Sequence, residues 1–350
     1  MSNRMIRIAV DAMGGDHYPG VLIEGGIAAL QVFPDIEIVL VGDEAVIGEG
    51  LRSFSESGET DKERRGAYHH VRNRLHTVHA SEIIGMDESP ARSIRTKKDS
   101  SIAVANKLCR SRDVEAVISA GNTGAAMAAS LLYMGRLTGV HRPAIMTMFP
   151  SMKNAVAIID IGANTDCKPE HLFQFGTMAS IYVSYVFGCE RPRVGLLNIG
   201  EERSKGNELT EGAYALFEKS SLNFIGNVEG RDIFKGDVDV VVCDGFVGNV
   251  LLKFGESVFG FVTHALKKNI KHNFLRLMGA YLMKPAFRDV KKQMSDEDYG
   301  GAPLLGVDGV SIICHGNSTP LAIRNAVSVA RQFVLEGLNE QIKREFASTT

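Results

Sequence analysis

Residues Ile6–Asp16 read IRIAVDAMGGD: four apolar positions interrupted by one arginine, then an aspartate, then a Gly-Gly turn. A short apolar, β-branched run that ends in glycines predicts a buried strand feeding a tight loop at its carboxyl end. The pattern recurs at SAGNTGA (Ser119–Ala125), DIGANTD (Asp160–Asp166), NIGEERSKGNE (Asn198–Glu208) and DGFVGN (Asp244–Asn249), each preceded by an apolar run. Working outward, strands are expected at Ile6–Asp11, Ile36–Val41, His76–His79, Val114–Ser119, Ala155–Asp160, Arg193–Asn198, Asn223–Gly226, Val238–Cys243 and Val310–Cys314. Helical patterns lie between them at Val21–Val32, Gly124–Arg136, Pro169–Phe187, Glu208–Lys219 and Pro320–Lys343. Strands alternating with helices predict a mostly parallel sheet covered on both faces, a three-layer α/β/α architecture in one large domain over 1–350.

Composition agrees and removes several function classes. Hydrophobic residues make up 45% and charged residues 23% of the 350, ordinary values for a soluble globular chain. Lys+Arg (39) and Asp+Glu (41) nearly cancel, so overall charge points to no nucleic acid partner. The five cysteines, Cys109, Cys167, Cys189, Cys243 and Cys314, form no C-x-x-C pair, which supports neither a zinc site nor a disulfide framework and suits a reducing cytoplasm. Ala116–Gly135 and Leu172–Cys189 lack formal charge for about a membrane span. Both carry too many polar groups for lipid and read better as buried elements.

Two segments depart from the alternation. Ser53–Arg74 is polar and charge-dense, and is expected to be a solvated loop or frayed helix. Residues 254–292 contain no strand signal and predict a projecting arm of two successive helices, the second ended or kinked by Pro285. Phe259, Leu266, Ile270, Phe274, Leu277 and Tyr281 make an apolar stripe at helical spacing. Between His264 and Lys292 there are eight Lys/Arg against the one acid Asp289. A core-packed helix with a solvated basic back fits that pattern. So does a basic amphipathic arm for a membrane surface, an acidic partner or a dimer mate.

In open α/β sheets ligands bind outside the carboxyl ends of the strands, where glycine turns let backbone N–H groups cradle an anion at a helix start. Five such turns, each with Asn or Asp beside the glycine, predict one anion-binding cleft. The chain has no Walker loop, no G-x-G-x-x-G after a strand, no G-x-S-x-G elbow and no His-x4-Asp. Cys314–His315 is no nucleophilic dyad, because neighbours on a strand point to opposite faces. A protein nucleophile is not evident.

The segments IRIAVDAMGGDHYPG, SAGNTGA, DIGANTDCKPEHL, RVGLLNIGEERSKGNELT, NFIGNVEGRDI, DVVVCDGFVGNVLLK and YGGAPLLGV, in order from Ile6 to about His315, resemble the phosphate acyltransferases of the PlsX type. The resemblance implies transfer of a long-chain fatty acyl group from acyl carrier protein to inorganic phosphate. It implies a fold similar to isocitrate and isopropylmalate dehydrogenases and to phosphotransacetylase, and a homodimer with no metal or other cofactor. It further implies that acyl phosphate passes to a membrane glycerol-3-phosphate acyltransferase in phospholipid synthesis, which places the protein at the membrane periphery. Ser53–Arg74 looks longer than the family norm, and His141 in GVHRP stands where an acid is usual. A coenzyme A thioester donor, or an NAD-dependent decarboxylating dehydrogenase on the related fold, are the competing readings.

If phosphate is itself the nucleophile, the protein needs to bind it, orient it and stabilise an oxyanion. Lys205 in GEERSKG is expected to be the cation nearest the reacting carbon, or else a surface lysine paired with Glu201 or Glu202. Asn249 is expected to donate to the oxyanion, or else to cap a helix. Phosphate binding is expected from Gly14, Gly15, Asn122, Thr123, Gly124 and Asn164, with Asp11, Asp16 and Asp244 positioning the loops. His17 is a weaker candidate as proton donor to the departing thiol.

Overall fold

The computed structural model describes residues 5–56, 62–271, 273–293 and 299–348. Eleven strands build the sheet: β1 (Ile6–Asp11), β2 (Ile36–Gly42), β3 (Leu75–His79), β4 (Ala116–Ser119), β5 (Ala144–Phe149), β6 (Val156–Ile159), β7 (Arg193–Leu197), β8 (Asn223–Val228), β9 (Val240–Val242), β10 (Ala302–Leu305) and β11 (Val310–Ile313). Their spatial order is β3-β2-β1-β4-β11-β10-β5-β6-β9-β7-β8. All pairings from β3 to β11 are parallel, as are all from β6 to β8. The pairings of β10 with β11, β10 with β5 and β5 with β6 are antiparallel. The sheet is therefore two parallel halves of opposite direction, joined by a seam of three antiparallel pairings around β10 and β5.

The nine strands expected from sequence are present within a residue or two. They read clearly because parallel strands buried on both faces are near-continuous apolar runs; every residue of β4, β6, β9 and β11 is buried. The seam strands β5 (AIMTMF) and β10 (APLL) were not expected. One is methionine-rich instead of β-branched, and the other has four residues and a proline.

Registers across the seam position the site. Ile313 of β11 faces Ala302, Leu304 faces Ile145, and Met146 faces Ile159 of β6. The carboxyl ends of β11 and β6 thus lie at nearly the same height, roughly 14 Å apart across three strand spacings. Loops from both halves converge over β10 and β5.

Four expectations are narrowed or corrected. Of the two forms expected for Ser53–Arg74, the helical one holds: helices Glu44–Glu56 and Lys62–Val71 flank 57–61, which lie outside the described residues, and Val71 is fully buried. Arg74 donates to the carbonyls of Leu30, Phe33 and Ile36, closing the end of the helix Gly20–Val32. The helical pattern Pro320–Lys343 is split at Gly337, whose φ of +59° only glycine adopts freely, into Pro320–Leu335 and Leu338–Ser348. The arm begins earlier, at Gly245, and has three helices: Gly245–Lys271, Phe274–Leu282 and Lys284–Gln293. Pro285 falls in the first turn of the third, where its missing N–H costs nothing. The arm is not core-packed either. Gly245–Ile270 is long and apolar enough to cross a membrane, with an 18-residue stretch of mean hydropathy 1.2, yet only 11% of that stretch is buried.

Candidate functional site

The loops after β1, β4 and β11 form one block. A Cβ on Gly14 would approach Gly121 N to 2.7 Å, and one on Gly15, at φ +91°, would approach Gly316 O to 2.9 Å. Asp16 N donates to Gly316 O at 2.7 Å. Glycines 14 and 15 thus let backbones pack against one another, which differs from the phosphate approach expected of them. Asp11 sits buried beneath, accepting from Ser119 Oγ at 2.7 Å and Met13 N at 3.3 Å. Burial pushes its carboxyl above the ordinary range, against the pull of the Ser101, Ser119 and Met13 donors.

A second block surrounds Asp160, fully buried at the end of β6. Its oxygens accept from the backbone N–H of Ile145, Gly162, Ala163 and Asn164 and from Asn164 Nδ2, at 2.7–3.2 Å. Burial raises this carboxyl too, with those donors opposing. Asn164 is itself buried, and its Nδ2 also donates to Pro143 O at 2.8 Å. Its side chain is committed to the scaffold, which corrects its assignment to phosphate. Asp244 caps the long helix Gly245–Lys271 by accepting from Phe246 N and Val247 N. A Cβ at Gly248 would fall 1.9 Å from Asp160 O, so only glycine allows that helix to sit on the block.

Between the blocks lies a cleft of about 360 Å³. Thr123 enters it from the helix that follows β4, His315 from the loop after β11 and Gly162 from the loop after β6, while Ile145 and Thr147 of β5 form its floor. From the long helix come Asn249, Leu252, Lys253 and Glu256, one face at i, i+3, i+4 and i+7. Asn249 is thus inside the helix, which corrects the capping alternative. It is half-buried, and its side chain has no hydrogen-bond partner among the described residues. Glu256 reaches across to His315 Nε2 at 3.9 Å.

The first amides of a helix have no intrahelical acceptor, so Thr123 and Gly124 present theirs at the end of the helix that starts there. Asn122 does not join them through its side chain. Its Oδ1 caps Ala125 N at 3.0 Å and its Nδ2 holds Met86 O at 2.9 Å and Glu88 O at 3.2 Å. That side chain clamps a neighbouring loop instead of meeting an anion. Gly124 lets the same helix approach Pro90, to whose Cγ a Cβ would come within 2.6 Å.

Lys205 is placed elsewhere. It is exposed on the loop after β7, whose strand is two positions, roughly 10 Å, from β6. Asn198 Nδ2 holds its carbonyl at 2.9 Å, and no ion pair to Glu201 or Glu202 joins it among the described residues. His17 is exposed beside Asp16, also outside the cleft lining. The cation in the cleft is Lys253, which the sequence reading passed over. The signal available was the helical face repeating from Asn249. Cys314 lines the cleft too, but it is buried and its thiol is pushed up to about 12 by desolvation. Among the described residues no group of three or more His, Cys, Asp or Glu is placed to hold a metal ion.

A family model described as "Fatty acid synthesis protein" matches residues 6–341. A phosphate acyltransferase of Desulfitobacterium hafniense (strain Y51) is 48% identical over 347 residues, 99% of each chain. One from Heliobacterium modesticaldum is 50% identical over 329 residues, 94% of each. Among solved structures, a phosphotransacetylase from Streptococcus pyogenes superposes with a TM-score of 0.61 at 13% identity, covering 95% of this chain and 94% of that one. A phosphotransacetylase from Staphylococcus aureus gives 0.56 at 13% identity, covering 94% of both chains. At such identity the last two show the fold alone, a mostly parallel α/β sheet with flanking helices. Full-length identity near one half, together with the match of the family model, shows that this chain belongs to the phosphate acyltransferase family.

Proposed function

We propose that the cleft between the two sheet halves catalyses attack of inorganic phosphate on a long-chain acyl thioester of acyl carrier protein. A phosphate oxygen bonds to the thioester carbon, the C–S bond breaks, and the thiolate (pKa ~8.5) leaves without needing a strong acid. The reading is carried by one observation. The cleft offers anion donors, Thr123 at a helix start together with Asn249 and Lys253, while its one thiol is held neutral by burial. Lys253 and the helix-end amides hold phosphate, and Asn249 donates to the oxyanion that forms in the tetrahedral intermediate. Asp11 and Asp160 keep the opposing loops in place and stay off the phosphate.

The carrier protein as donor, in preference to coenzyme A, is supported by the exposed basic face at Lys267 and Lys268, which suits an acidic partner. The same exposed arm supports a cytoplasmic homodimer working at the membrane surface and passing acyl phosphate to a membrane glycerol-3-phosphate acyltransferase. The architecture shared with isocitrate and isopropylmalate dehydrogenases belongs to this reading as an inferred kinship. Incubation with palmitoyl-carrier protein, or with palmitoyl-coenzyme A, and phosphate, with acyl phosphate trapped as the hydroxamate, tests it. Faster turnover of the carrier-protein donor is expected, and Lys253→Ala or Asn249→Ala should lower kcat about 10²-fold. No acyl phosphate from either donor would defeat the reading.

A further inference from the structure

The long helix Gly245–Lys271 serves a second cavity on its other side. This groove has a volume of about 650 Å³ and runs between that helix, the helix Gly230–Lys235 and the helix Lys284–Gln293. Its lining is apolar apart from Thr263 and Lys267, and Lys267 lies towards the far end. From Leu251 to Ile270 the long helix provides roughly 28 Å of wall at 1.5 Å per residue.

The groove abuts the cleft at one side chain. Ile145, Thr147 and Phe149 point to the same face of β5, since alternate strand residues do. The first two floor the cleft, and Phe149 lines the groove. Above them Leu252 belongs to the cleft, whereas its neighbour Leu251 belongs to the groove. Gly255 permits the contact: a Cβ there would come 3.0 Å from Phe149 Cζ. The Phe149 ring thus stands between the cleft and an open, elongated apolar groove.

We propose that this groove is the binding site for the hydrocarbon tail of the acyl group, with the Phe149 ring as the gate between tail and thioester. The inference rests on the acyl-transfer reading above and adds where the tail lies. Apolar channels of this size favour apolar ligands over water, and each methylene buried strengthens binding roughly fourfold. A second copy of the chain or a lipid surface has another face available. Phe246, Val250 and Phe261, exposed by 63%, 54% and 72%, lie on the long helix outside the groove.

Val262, a groove-wall residue that is 46% exposed, tolerates enlargement without disturbing the core. The test compares Val262→Trp with wild type on palmitoyl and butyryl thioesters of the same carrier protein. Displacement of a fluorescent long-chain fatty acid is measured in parallel. The expected result is at least a tenfold loss of kcat/KM for palmitoyl, butyryl turnover within twofold, and weakened fatty-acid binding. An equal loss for both donors, or no loss for either, overturns the proposal. An unchanged chain-length profile with a smaller assembly mass or lost vesicle binding overturns it in favour of a second copy or a lipid surface. If wild type converts neither donor, the acyl-transfer reading fails. Fatty-acid binding then decides the groove alone: weakened in Val262→Trp it stands, unchanged it falls.

Discussion

Asp11 and Asp160 occupy similar places in the two halves, each buried at the carboxyl end of a parallel strand beneath loops at the cleft. Their partners differ in kind. Asp160 is surrounded by backbone and amide N–H groups, which can only donate. Asp11 leans on the hydroxyl of Ser119, which both donates and accepts. A carboxylate ringed by N–H groups has one chemical identity that satisfies its surroundings, whereas one paired with a hydroxyl has several. The half that carries the long helix, with Asn249 and Lys253, is therefore the rigidly specified one.

Replacing each aspartate by asparagine breaks that comparison most directly. In Asp160→Asn the new NH2 must face N–H donors whichever way the amide turns, leaving buried donors unpaired. Loss of about 3–5 kcal/mol is expected, as for other disrupted buried networks. In Asp11→Asn the Ser119 hydroxyl can rotate to accept, and the loss should be about 1–2 kcal/mol. Urea denaturation of both variants gives the difference. Equal losses would mean that partner type does not matter here and burial alone sets the cost.

A smaller effect is expected at Lys205, the cation of the same half that stands off the cleft. It is exposed on the loop after β7 and outside the cleft lining, so under the proposed function it meets the acidic carrier and not the reacting carbon. Lys205→Ala should raise KM for the carrier-protein donor several-fold and leave kcat within threefold, with the KM effect shrinking at high salt. A hundredfold fall in kcat would instead show that the loop closes and brings Lys205 to phosphate, in place of Lys253.

Lys205 and Lys253 also show what the chain makes legible. Both lie in motifs that the sequence reading singled out, and the loops at the strand ends were all recognised because glycine and asparagine mark them. Which loops meet was hidden, because that depends on β5 and β10. AIMTMF has no strand periodicity of its own, and APLL is short and proline-containing. Those two strands reverse the sheet and bring the β11 and β6 ends together. With the reversal unseen, the lysine next to Gly206 in GEERSKG looked nearest the chemistry. Asn122 and Asn164 misled for a related reason: asparagine beside glycine suits an anion, but it equally suits a cap or a clamp. Only observed partners separate these roles.

The finest comparison is between the cleft's thiol and its amides. Cys314 is the nucleophile that a covalent mechanism would choose, being the thiol in the cleft lining. Burial holds that thiol near 12, so at pH 7.5 the reactive thiolate is on the order of one part in 10⁴. The thiol packs close to Gly301, where a Cβ would come within 3.0 Å of the sulfur, which is the behaviour of a small core residue. Cys314→Ala should therefore keep acyl-phosphate formation within threefold, and iodoacetamide at pH 7.5 should leave the wild type active. Loss of activity in both experiments, with the variant still folded, would mean an acyl-cysteine intermediate. The amides at Thr123 and Gly124 would then bind a phosphate that attacks second instead of first.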